Sequence, residues 1–63
     1  GVANIDISIY DLLGKKLQNV FSGVQSEGVY SYNIDTKDLQ SGTYYITLKS
    51  GNKSTTKMLS IIK

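Results

Sequence analysis

The chain has 63 residues, a net charge of +2 whose positive part is lysine alone, and neither cysteine nor histidine. Disulfide staples and the usual zinc ligand sets are therefore excluded, and no apolar run approaches the ~20 residues of a membrane-spanning helix. A single domain this short buries only about 60% of the surface that its unfolded chain exposes, so stability must come from sheet packing, with help from a neighbour.

The first element is predicted over Ala3–Tyr10, where Ile5, Ile7 and Ile9 alternate with Asp6, Ser8 and Tyr10. That period of two with a β-branched face specifies a half-buried strand. Asp11-Leu12-Leu13-Gly14 follows, with aspartate first and glycine last, as a type I turn prefers. Lys15 to Val20 or Phe21 returns as a second strand, with a bulge near Asn19, because Leu17, Val20 and Phe21 do not hold one phase. Ser22–Gly28 is polar and reads as a loop, with Val24 tacked onto the sheet.

Alternation resumes at Val29–Ile34, which predicts a third strand with Tyr30, Tyr32 and Ile34 on one face. Asp35-Thr36-Lys37-Asp38 is expected to cap a short helical turn, with Leu39 facing inward. Gly42 then opens the most regular run of the chain, in which Tyr44, Ile46 and Leu48 share a face. A positive φ or a close backbone approach is expected at Gly42. Ser50-Gly51-Asn52-Lys53 forms a hairpin turn, and Ser54–Ile62 is the final strand. That strand has apolar residues on both faces, so it is expected either to be central or to be covered from outside the chain.

About five antiparallel strands without a long helix predict an all-β fold, a small β-sandwich. Its core is expected to comprise Ile5, Ile7, Ile9, Tyr30, Tyr32, Ile34, Leu39, Tyr44, Ile46, Leu48, Leu59 and Ile61.

No catalytic constellation is present. Serine nucleophiles lack a histidine base, and Asp35 and Asp38 read as turn caps rather than as a carboxylate pair. Asp6, Asp11 and Asp35 do not form an Asp-x-Asp-x-Asp-Gly calcium loop. Tyr10 and Tyr45 are the tyrosines left for a surface aromatic site, because Tyr30, Tyr32 and Tyr44 fit core phases. Lys15 and Lys16 are the sole adjacent basic pair and there is no arginine, so the basic stripe of a nucleic-acid binder is absent. No cofactor is expected. No signal-peptide pattern opens the chain.

Three segments carry a family resemblance. Ile7-Ser8-Ile9-Tyr10-Asp11-Leu12-Leu13-Gly14-Lys15 resembles the "xIYDxxGK" hairpin of the C-terminal sorting domain of the bacterial type IX (Por) secretion system. Ile34-Asp35 followed by Leu39-Gln40-Ser41-Gly42-Thr43-Tyr44-Tyr45 resembles that family's "ID…L-x-x-G-x-Y" segment. Lys57-Met58-Leu59-Ser60-Ile61-Ile62-Lys63 resembles its terminal strand.

The resemblance implies an immunoglobulin-like antiparallel β-sandwich spanning residues 1–63, joined to a passenger upstream in a Gram-negative bacterium. It implies no enzyme activity. The domain would be a signal that takes the passenger from the periplasm through the outer membrane to the cell surface, where a sortase-like protease removes it. The candidate translocon-recognition residues are Lys57, Met58, Leu59, Ser60, Ile61, Ile62 and Lys63. Tyr10, Asp11, Gly14, Leu39, Gly42 and Tyr44 are the motif residues with structural roles.

Family members usually open with a Tyr-Pro-Asn-Pro-like segment and a first strand. This chain has no proline, which implies either a divergent member or a trimmed amino-terminal part that leaves a sheet edge unpaired. Strand exchange or edge pairing between copies is then expected. Two other readings stand beside the sorting signal: an immunoglobulin-like spacer of a secreted enzyme, and a carbohydrate-binding accessory module.

Overall fold

The computed structural model describes residues 2–26 and 28–63. Gly1, at the start of the segment read as opening inside the domain, and Glu27, part of the expected polar loop, lie outside the described residues. Among the described residues four strands form: β1 (Val2–Tyr10), β2 (Lys16–Ser26), β3 (Gly42–Ser50) and β4 (Lys53–Ile61). All pairings are antiparallel and the strands make one sheet in the order β2-β1-β3-β4. The fold is all-β, and no helix occurs among the described residues. An immunoglobulin-like pairing of two sheets is not formed by the described residues.

The β1–β2 hairpin follows from its turn. Gly14 N–H donates to Asp11 O (3.1 Å), and Asp11 Oδ1 accepts from the amides of Leu13 and Lys15 (2.9 Å each). One aspartate thus satisfies amides that a tight reversal would otherwise leave free. The expected bulge is present: Ile7 pairs with Phe21 but Ser8 with Asn19, which leaves Val20 over. A second register shift lies between Ile9 and Tyr10.

Residues paired across an antiparallel sheet share a face, so the register sorts the side chains. Ile5, Ile7 and Ile9 of β1 stand beside Ile46 and Leu48 of β3 and, further out, Lys57 and Thr55 of β4. The opposite face is polar, with Asp6 and Ser8 of β1 beside Lys49 and Thr47 of β3.

Residues 28–41 run from one side of β1 to the other and cross the apolar face. Tyr32 stacks on Phe21 with ring centroids 5.1 Å apart, and its hydroxyl donates to Gln25 Oε1. Tyr30 hydroxyl donates to Ser26 O (2.7 Å). Further on, Leu39 enters the core with Ile9, Tyr44 and Ile61, and Val20, Ile34, Ile46 and Leu59 pack around them. Ile9, at 0% exposure, is its centre.

Four expectations are corrected here. Val29–Ile34 is irregular and unpaired, although it alternates; a chain crossing over a sheet has no neighbouring strand to bond to. Ser22–Ser26 is not a loop but the end of β2, paired with Val2–Asp6. Gly23 there lies beneath the Phe21 ring, where a Cβ would stand 3.2 Å from Cζ, so it is a packing glycine and not a turn glycine. Tyr30 and Leu48, assigned to the core, are exposed, because the crossover covers only one end of the apolar face. Finally, β4 is not central: it is an outer strand.

Candidate functional site

The strand carrying the recognition candidates is placed by the β3–β4 hairpin. Ser50 pairs with Lys53 across the two-residue loop Gly51-Asn52, and Gly51 has φ 59°. A two-residue hairpin loop with glycine first suits a type II′ turn, whose twist matches that of the strands it joins. From that loop the register runs without a shift to Gly42 and Ile61.

The candidates divide by parity. Leu59 and Ile61 pair with Tyr44 and Gly42 and lie on the apolar face. Ile61 is 8% exposed and belongs to the core, and Leu59 packs against it. Lys57 shares that face but lies beyond the covered end and is exposed. Met58 and Ser60 point to the polar face, and Met58 is 68% exposed. Beyond the strand, Ile62 is 92% exposed.

Lys63 folds back on the turn before β3. Its amide donates to Ser41 Oγ (3.0 Å) and its ammonium to Lys37 O (3.3 Å). The seven candidates are therefore two core anchors, Leu59 and Ile61, and five side chains that face solvent.

The motif residues serve the scaffold that presents them. Asp11 and Gly14 close the first hairpin. Leu39 and Tyr44 are core, and Tyr44 hydroxyl donates to Gln40 O (2.6 Å). The turn that leads into Leu39 is a single one: Asp35 Oδ1 accepts from the Lys37 amide (2.9 Å), and Leu39 N–H donates to Thr36 O (3.0 Å). Gly42 has φ 156° with no atom within 4 Å of where a Cβ would stand, so the expected positive φ is found but the close approach is not.

Tyr10 pairs with Tyr45, and Tyr45 with Met58, so these three line up across β1, β3 and β4 on the polar face. The two tyrosines read as surface aromatics are thus neighbours. Sequence reasoning missed their alignment with Met58, because it depends on register between strands rather than on spacing within one.

The uncovered end of the apolar face forms an open cleft of about 830 Å³, lined on the sheet by Ile5, Ile7 and Leu48 and by Thr55 and Lys57 of β4, and on the crossover by Tyr30 and Tyr32. Among the described residues, no group of three or more His, Cys, Asp or Glu side chains stands together to hold a metal ion.

No curated protein and no solved structure matches the chain. The family model of the secretion system C-terminal sorting domain matches residues 2–63, nearly the whole chain. With the hairpin motif, the Leu39–Tyr44 segment and the last strand all inside that match, the chain belongs to the C-terminal sorting domain family of type IX secretion.

Proposed function

We propose that the domain directs an upstream passenger through the outer membrane by the type IX machinery, which reads it at β4 and the residues that follow, Lys57–Lys63. The family is one of sorting signals and not an enzyme family. The observation that carries the reading is the position of β4 as an outer strand of the sheet. Its recognition residues reach solvent while Leu59 and Ile61 hold the strand to the core, so a receptor reaches them without unfolding the domain or its passenger. After translocation a sortase-like protease removes the domain.

The test is a fusion of the chain to a reporter in a bacterium that has this secretion system. The reporter is expected at the cell surface with the wild-type domain and in the periplasm when Lys57, Ile62 and Lys63 become Gln, Ser and Gln. Because Ile61 is core, deleting Ile61–Lys63 would confound folding with recognition. The triple variant changes exposed side chains only, and its unfolding midpoint is measured alongside. Surface delivery by the folded triple variant would remove the role of these residues. Failure of the wild-type fusion would leave the spacer reading.

A further inference from the structure

The hairpin geometry fixes which backbone groups of β4 face outward. Residues flanking a two-residue loop form a hydrogen-bonded pair, and bonded and non-bonded pairs alternate from there along the ladder. Starting from Ser50–Lys53 with an unshifted register, Lys53, Thr55, Lys57, Leu59 and Ile61 direct their amides and carbonyls to β3. Ser54, Thr56, Met58 and Ser60 direct theirs away from it, where the sheet has no further strand among the described residues. These four span roughly 20 Å at about 3.4 Å per residue. No proline or bulge interrupts them, although such devices commonly protect an exposed edge.

Charge selects what can pair there. β4 contains Lys53 and Lys57 and no Asp or Glu, with Lys49 on the adjoining strand and Lys63 just beyond. A second copy would bring the same cations to the same edge, and like charges on neighbouring strands oppose pairing. We propose that this edge receives an extended acidic segment of another polypeptide as a fifth strand, bonded to the backbone of Ser54, Thr56, Met58 and Ser60. Its carboxylates lie on the face of Lys53 and Lys57, and its apolar side chains on the face of Met58. The proposal rests on the reading of β4 as the recognised element and specifies how it is read: by strand addition, with backbone bonds giving affinity and side chains giving specificity.

The probe is a nine-residue peptide alternating glutamate with valine and threonine, titrated into the isotopically labelled 63-residue chain, with a lysine-for-glutamate peptide as control. The expected result is slowed solvent exchange at the amides of Ser54, Thr56, Met58 and Ser60 with the glutamate peptide alone. Lys53→Gln with Lys57→Gln should weaken binding at least several-fold. Thr56→Pro should abolish it, because proline removes an outward N–H while sparing the bonds to β3.

Equal binding of the lysine peptide, no change at the four amides, or binding retained by Thr56→Pro would each overturn the proposal. So would concentration-dependent protection of the same amides without peptide, which would assign the edge to a second copy. Should Thr56→Pro unfold, the wild-type titration still decides. In the reporter fusion, export of Thr56→Pro at the wild-type level would refute strand addition and leave the sorting role intact. Failure of the wild-type fusion would refute the sorting role itself.

Discussion

At Asn19 the side-chain amide stands among four oxygens: Asp6 Oδ1 at 2.7 Å, Ser8 Oγ at 3.1 Å, Ile7 O at 3.2 Å and Phe21 O at 3.3 Å. The bulge that leaves Val20 unpaired puts it there. Ser8, 2% exposed, also donates to Asp6 Oδ1 (3.2 Å), and no buried polar side-chain atom among the described residues lacks a partner. One residue therefore holds the bulge, the edge of β2 and a buried hydroxyl together. Asn19→Ala is expected to cost about 1–2 kcal/mol, the range for losing hydrogen bonds of which one is to a charged acceptor. In a domain of this size that lowers Tm by on the order of 10 °C. Thermal unfolding followed by circular dichroism checks it, and a shift below about 2 °C would mean that water replaces the amide without loss. Asn19→Asp should be no milder, since it sets a second carboxylate against Asp6.

In β4, the alternation of inward and outward backbone groups gives a second expected outcome, independent of any ligand. Amides of Thr55, Lys57 and Leu59, bonded to β3, should exchange slowly in deuterated buffer, and those of Ser54, Thr56, Met58 and Ser60 should exchange at nearly free rates. Uniform protection along the strand would mean that its outer side is already paired. This parity was hidden in the sequence, as was the outer position of β4, whose apolar residues on both faces fitted either a central place or a cover from outside the chain. Met58 and Ile62 carry that apolar character into solvent.

Elsewhere legibility followed how local the signal was. β1, β3, the Asp11–Gly14 turn, the bulge and the Gly51-Asn52 hairpin were all readable, because alternation and turn residues encode them within a few positions. Val29–Ile34 was misread because alternation reports an extended chain with one side covered, and here the cover is the sheet beneath it. Ser22–Ser26 was misread because small polar residues look like a loop unless the partner strand is known. For the candidate site, the lysines and apolar residues were visible in order. Their division into core anchors and exposed side chains depended on the distant Leu39 and Ile9.

Taken whole, the molecule has a covered end and an open one. The crossover seats Leu39 against Ile9, Tyr44 and Ile61 at one end, while at the other Leu48 and Tyr30 stay exposed around the cleft. Stability should be distributed accordingly. Ile9→Val removes one methylene at the fully buried centre and should cost about 0.5–1.5 kcal/mol, and Ile9→Ala about 2–5 kcal/mol, which in a domain this small approaches the whole of its stability. Leu48→Ala removes a larger group than Ile9→Val does, yet Leu48 is 41% exposed, so its loss should stay near the ±0.5 kcal/mol of a surface change. Urea denaturation of the three variants measures the ordering. A Leu48→Ala penalty equal to or greater than that of Ile9→Val would show that the cleft is closed in solution and that the open end is packed as firmly as the other. The predicted ordering instead confines the firm core to the end that holds Ile61, so β4 stays anchored through Leu59 and Ile61 even if the cleft end loosens.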